Sequence, residues 1–322
     1  MGLWVIDADT LARSRFVISQ FSEAFACLVM LESGQTGHPG EQSWLAVHRP
    51  AYRELLDADP VTRLLVRTGL RPHWIADFLS PTPPSDDESD FHCELAGVRA
   101  TPPAEARHDL AFGAGGRLPA ALHRDDLPDR AADLLEWVWT ETVLPYWPRR
   151  RRLFEADILA RTRLLTKGGW AAALDDIRPG MRWLGEGRLR VNHGAYEPQE
   201  LSGAQLLFVP ASGRSGWVSW ERPHRFSAVY PCTGQLSEPA PTAAPADALG
   251  RLLGSGRAGV LLLLDTPKST TQLVALSGQA LGSVGRHLKV LLDAGLVFRR
   301  RAGRSVLYCR TTAGDVLVAA ER

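Results

Sequence analysis

Residues Ser269 to Arg310 read STTQLVALSGQALGSVGRHLKVLLDAGLVFRRRAGRSVLYCR: a helix, a tight turn, a second helix and a basic hairpin. Ser269 carries the hydroxyl of an N-cap, and Gln272, three residues on, completes a capping box. The first helix is expected to reach about Ser277, with Leu273 and Leu276 facing inward. Gly278-Gln279 ends it, because glycine supplies the left-handed backbone that terminates helices. The second helix is expected from about Leu281 to Ala294, stopping at Gly295.

At 3.6 residues per turn, Leu281, Val284, Leu288, Leu291 and Leu292 share one stripe, which predicts a core face. The other side gathers Gly282, Arg286, Lys289 and Asp293, with Ser283 on its shoulder. Small and cationic residues there let a helix sit deep in a groove and meet phosphates and base edges. His287 falls at the margin of the apolar stripe, where packing and DNA contact both stay open. Past Gly295, Leu296-Val297-Phe298 and Val306-Leu307-Tyr308 read as strands bracketing Arg299-Arg300-Arg301-Ala302-Gly303-Arg304. Ala302-Gly303 suits the hairpin tip. Four arginines around one turn predict a strong positive potential, although taken alone they also fit a hairpin kept basic to protect a sheet edge.

These residues resemble the ArsR type of bacterial winged-helix regulator, over about Ala248 to Val318. The marks are GSVGRHLKVL at 282–291, DAGLV at 293–297 and the arginine-rich wing. The resemblance implies a C-terminal winged helix-turn-helix domain that binds double-stranded DNA as a homodimer. The candidate DNA contacts are Ser269, Thr270, Gln279, Gly282, Ser283, Arg286, His287, Lys289, Arg300, Arg301 and Arg304. The chain departs from the family in two places. Gly285 stands where the family often has Ser, removing one phosphate contact. Ser269-Thr270-Thr271 stands where the family's metal sensors carry Cys-x-Cys, so neither a metal nor a cofactor is expected.

Charge is distributed to match. The chain has 37 basic and 36 acidic residues, but from Pro245 onward 11 basic residues face 5 acidic ones, a net of +6, leaving −5 on the first 244 positions. A basic module joined to an acidic one fits a DNA-binding domain carried by a domain that does not bind DNA. Cys27, Cys93, Cys232 and Cys309 are too dispersed for a paired-ligand motif and suggest reduced thiols. MGLWVIDADT lacks the basic start of a signal peptide, and the longest apolar run, Ala24 to Leu31, is short of a membrane span. A cytoplasmic protein is expected.

The clearest boundary is SEPAPTAAPA at 237–246, a Pro/Ala-rich linker between an N-terminal domain (1–236) and the winged helix (247–322). Asp9 is placed as the cap of a short helix to Arg13, and Ser19 opens a longer one to about Glu32. Ser43–Leu56 and Val61–Thr68 read as helices, with Pro50 expected to kink or break the first. Further helices are expected at Pro103–Ala111, Pro128–Leu144, Pro148–Leu165 and Trp170–Ile177. Arg149-Arg150-Arg151-Arg152 opens the third of these, where the macrodipole disfavours cations, so pairing with acids such as Glu155 or Asp157 is preferred to DNA contact. Short strands follow at Met181–Leu184, Arg188–Asn192, Gln205–Val209, Trp217–Trp220 and Phe226–Tyr230. Two helices, Ala248–Gly254 and Arg257–Leu264, should complete the winged-helix core. Val260 to Leu264 is too apolar for an exposed face, so it packs inside or forms a dimer contact, and Ala248–Leu264 is a candidate for part of a dimer surface. The predicted class is therefore α+β: a mainly helical N-terminal domain with a small antiparallel sheet, then the winged helix.

RFVISQFSEAFACLVML, IADFLSPTPP, LPYWPRRRRLFEADI and QLLFVP are similar to an uncharacterised domain that precedes winged helices in regulators from high-GC bacteria, over most of Leu11 to Tyr230. That likeness implies a composite regulator and carries no activity with it. The first 240 residues hold no Gly-x-Ser-x-Gly elbow, phosphate loop, His-Glu-x-x-His or dinucleotide fingerprint, and Gly113-Ala114-Gly115-Gly116 reads as a loop. The Trp-rich helices suit either a pocket for a flat effector or ordinary core. The expected function is a transcriptional regulator, a repressor rather than an enzyme, with an N-terminal domain that senses a ligand or partner. The alternatives are an enzyme targeted to DNA and an interaction scaffold with a degenerate winged helix.

Overall fold

The computed structural model describes residues 2–319 except 38–39, 72–73, 85–89, 175–176, 193–196, 233–246, 266 and 303–304. The Pro/Ala-rich linker and Arg304 therefore lie outside the described residues, as does most of the acidic stretch before Phe91. The chain divides into two compact units, Met1–Leu236 and Ser237–Arg322. It is a mixed α+β protein whose N-terminal region is largely helical.

In the first unit, β1 (Leu3–Val5), α1 (Ala8–Arg13) and β2 (Arg15–Phe16) lead into α2 (Gln20–Ser33). Asp7, not Asp9, caps α1, its carboxylate accepting from Thr10 N at 2.6 Å. A capping side chain must stand just outside the helix, and Asp9 is already in the first turn. α2 is buried on nearly every side, from Phe21 through Leu31, so it runs through the core instead of lying on it. Around it pack α3 (Gly40–Ala58), α4 (Pro60–Gly69), α5 (Phe91–Arg99), α6 (Pro103–Gly113) and α7 (Leu127–Trp137), with the small β3 (Leu70–Arg71)–β4 (Trp74–Ile75) hairpin. α3 runs through Pro50 as one helix, so of the kink or break expected there the break does not occur. Buried Leu45, Tyr52 and Leu56 on both sides of the proline tie the two halves to one core, which outweighs the missing backbone bond.

The helix expected over 128–144 ends early. α7 gives way at Val138–Val143 to a π-helical turn. The carbonyl of Thr142 in that turn accepts from Trp44 Nε1 at 2.8 Å. α8 (Trp147–Leu174) follows, its two helical runs meeting at Gly168-Gly169, where Gly169 has φ +65°. β5 (Arg182–Gly185), β6 (Arg188–Arg190), β7 (Gln199–Glu200), β8 (Gln205–Ala211), β9 (Trp217–Glu221) and β10 (Arg225–Pro231) complete the unit. They form two four-stranded sheets, ordered β5-β6-β1-β7 and β2-β8-β10-β9. The small antiparallel sheet expected from sequence is thus two mixed sheets. β10 inserts between β8 and β9, so β8 and β10 are parallel, and β2 joins β8 in parallel too. The reason is visible in β8: Leu206 to Ala211 is buried without alternation, as in a strand covered on both faces.

The second unit contains α9 (Asp247–Leu253), α10 (Ser255–Leu262), β11 (Lys268–Ser269), α11 (Thr270–Ser277), α12 (Leu281–Asp293), β12 (Val297–Ala302), β13 (Ser305–Arg310) and α13 (Thr312–Ala319). The strands make one antiparallel sheet, β11-β13-β12. Val260, Leu261 and Leu264 meet Leu273, Val284, Leu288, Leu291, Leu296 and Val297 in a single core. Of the two places expected for Val260 to Leu264, inside the unit or at a dimer contact, these three residues take the first; elsewhere in the 248–264 stretch Leu252 is 67% exposed.

Candidate nucleic-acid interface

The geometry of α11 and α12 follows from local chemistry. Ser269 Oγ accepts from Gln272 N at 3.3 Å, and Gln272 Oε1 accepts from Ser269 N at 2.8 Å, so the capping box closes reciprocally. Gly278 then takes φ +67°, and its N–H reaches Val274 O. That left-handed residue turns the chain within Gly278-Gln279-Ala280 and sets α12 across α11. Ala280 has no side-chain oxygen to cap α12, and Ser283 N and Val284 N return to its carbonyl. The first N–H groups of α12 are therefore not capped by a side chain, and helix N-termini favour anions.

α12 buries Val284, Leu288 and Leu291. Its outward arc holds Gly282, Gly285, Arg286, Lys289, Val290 and Asp293, all exposed. A Cβ built on Gly282 or Gly285 meets nothing within 4 Å, so the backbone there is bare and no close packing in the unit demands glycine. Arg286 and Lys289 project from this arc. β12 and β13 extend a second cationic element. Arg299 pairs across from Tyr308, Arg300 from Leu307 and Arg301 from Val306. Strand alternation therefore sends Arg299 and Arg301 to one face and Arg300 to the other, all three exposed. Among the described residues, Arg286, Lys289, Arg299, Arg300 and Arg301 form no ion pair. Nearby cations of the same unit are matched: Lys268 pairs with Asp265, and Arg310 Nε lies 2.9 Å from Asp315 Oδ1.

The expected contacts divide accordingly. Gly282, Arg286, Lys289, Arg300 and Arg301 are exposed, and Thr270, Gln279 and Ser283 are half-buried. Ser269 is buried, and its hydroxyl is engaged in capping α11. His287 is half-buried, and a Cβ at Gly256 would lie 2.6 Å from its Nε2, so the imidazole rests on the backbone of α10. That contact is a packing one, and the half-buried ring keeps part of its surface in solvent. Leu281, assigned by periodicity to the core stripe, is 62% exposed. Helical side chains lean toward the N-terminus, and at the first position of α12 that direction overhangs the end of the packed surface. Arg299 was missing from the expected contacts, although it continues the same run; strand alternation was the signal for it.

The first unit encloses one of its cations in the core. Arg150 is buried and paired with Glu23, which is itself fully buried. Arg150 Nη1 also reaches Ser212 Oγ and Cys27 Sγ, each at 3.1 Å. Ser212 N and Oγ donate to the two Glu23 oxygens at 2.7 and 2.6 Å. The guanidinium carbon lies 5.1 Å from the Trp44 ring centre. Burial pushes the Cys27 thiol well above its usual pKa, so it stays a neutral thiol. This buried network ties α2, α8 and the loop after β8 together. Among the described residues, no group of three or more His, Cys, Asp or Glu is placed to hold a metal ion, and no helix is long and apolar enough to cross a membrane. Comparison with family models, with curated proteins and with solved structures finds no match to the chain.

Proposed function

We propose that the protein is a sequence-specific, DNA-binding transcriptional regulator whose second unit is a winged helix-turn-helix module. One observation carries this reading: five exposed cations, Arg286, Lys289, Arg299, Arg300 and Arg301, form no ion pair among the described residues, although the unit's other described cations include matched ones. Unmatched cations on one helix and the adjoining hairpin suit a polyanion, because neutralising phosphates releases condensed counterions. In this reading α12 enters the major groove and the β12–β13 hairpin meets phosphates or the minor groove. Arg286 is the base reader, since its planar fork can hold guanine O6 and N7 together. The ArsR likeness of residues 282–297 points the same way, toward a cytoplasmic homodimeric repressor on an inverted repeat with half-sites about one helical turn apart. The first unit then senses a ligand or partner.

The test is selection of bound sequences from random duplex DNA with the purified full chain, followed by sedimentation of the protein with and without the selected duplex. A twofold-symmetric consensus bound by a dimer is expected. No enrichment over several rounds rejects DNA recognition, and a strictly monomeric complex rejects the inverted-repeat model.

A further inference from the structure

We propose that Leu281 is a base-reading residue that recognises the methyl group of a thymine in each half-site. The inference rests on the DNA-binding reading above and goes beyond it by naming a specificity determinant that apolar periodicity had assigned to the core. Leu281 is 62% exposed at the first position of α12. Leu281 stands at the edge of the outward arc, next to Gly282 and Gly285, which have no side chains, and a Cβ at either would meet open space. Leu281 is thus the one large apolar side chain at an otherwise bare helix end, and it leans past the first turn. In helix-turn-helix recognition, the N-terminal residues of the second helix are the ones that reach base edges. The largest apolar group on the major-groove edge, and the natural partner for a leucine, is the thymine C5 methyl. Bare backbone at Gly282 and Gly285, beside Leu281 on its outward side, lets the helix end approach closely enough for that contact. Arg286 lies about 140° around the helix from Leu281, so the two side chains would read different base pairs, one by hydrogen bonds and one by van der Waals contact.

The experiment uses the full chain and the duplex enriched by selection. Each thymine is replaced in turn by deoxyuridine, which removes only the methyl group. For the wild-type protein, one symmetry-related position per half-site should lose about fourfold in affinity, the worth of one buried methyl group. Leu281→Ala should bind the thymine and deoxyuridine duplexes equally well, and Leu281→Val should keep part of the difference. The side chain is exposed, so these variants should fold as the wild type does. If wild type binds the selected duplex tightly and no deoxyuridine position matters, or if Leu281→Ala keeps the full methyl preference, this proposal is wrong while the regulator reading stands. If selection enriches no duplex at all, both are rejected together.

Discussion

Two runs of arginine, 149–152 and 299–301, look alike in sequence, but the fold matches most of the first and none of the second; Arg152 alone of the first run is exposed without an ion pair among the described residues. In the first, Arg150 is sealed in the core against Glu23, Arg151 pairs with Glu155 at 3.0 Å, and Arg149 also has an interaction partner. In the second, all three guanidiniums point outward from a strand with no ion pair among the described residues. The difference teaches how to read a basic run. A cation for which the fold provides an acid is structural, and one left unmatched beside other unmatched cations is available to a partner. Burying an unpaired guanidinium is costly, so the core admits Arg150 only with Glu23 in place.

The largest effect should come from breaking the matched run. Glu23→Ala leaves Arg150 buried without its carboxylate and should destabilise the first unit by about 3–5 kcal/mol. Replacing the pair together, Glu23→Leu with Arg150→Met, should recover much of that loss, because the charge and its partner leave at once. All 10 tryptophans precede residue 237, so urea unfolding followed by tryptophan fluorescence reports this unit alone. A single-variant loss below about 1 kcal/mol would show that Arg150 is not held by its counter-charge. The unmatched run should behave in the reverse way. Replacing Arg299, Arg300 and Arg301 with Ala should leave the fold's stability unchanged and weaken operator and scrambled DNA alike. The salt dependence of binding should flatten by about one unit for each phosphate that is no longer neutralised. An unchanged salt slope would return the hairpin to the role of a protected sheet edge.

Arg286→Ala sharpens the contrast within the second unit. It should cost about 1–3 kcal/mol of operator affinity and relax preference at one position of each half-site, with little effect on scrambled DNA. Repeating the random-duplex selection with the variant reads this directly. An unaltered consensus at unaltered affinity would remove α12 from the base-reading role.

What the sequence reveals in advance is what short-range chemistry decides. The Ser269–Gln272 box, the left-handed Gly278 and the limits of α12 depend on residues within one or two turns, and each is where the pattern places it. What it hides depends on distant chain. Glu155 and Asp157 were the natural partners for the arginine run because they lie one turn away, and Arg151 does take Glu155. The core partner of Arg150, however, is Glu23, far back in the chain, which no local pattern identifies. β10 is drawn between β8 and β9 by the same kind of long-range choice, against the usual pairing of consecutive strands. His287 packs beside Gly256, whose missing side chain makes room for the imidazole and which lies too far back in the chain for a local pattern to find. Leu281 fails for another reason. Helical periodicity gives an angle around the axis and says nothing of where the supporting surface ends.

The smallest expected effect separates stability from function most cleanly. Gly285 sits inside α12 at an ordinary helical conformation, and a Cβ there meets nothing within 4 Å. Glycine in a helix interior costs about 0.5–1 kcal/mol relative to alanine, chiefly through backbone entropy. Gly285→Ala should therefore stabilise the second unit by up to about 1 kcal/mol, read as slower amide exchange along α12. A bare helix surface also lets the backbone approach a groove wall closely, and a methyl group there holds it off. The same substitution should therefore weaken operator binding severalfold while the fold becomes firmer. Opposite signs in the two measurements would place Gly285 with Arg299–Arg301, as a residue kept for a partner at a cost to the unit's own stability. Slower exchange with unchanged affinity would mean that the bare face of α12 does not approach the DNA, and the recognition surface would then have to be sought on the hairpin alone.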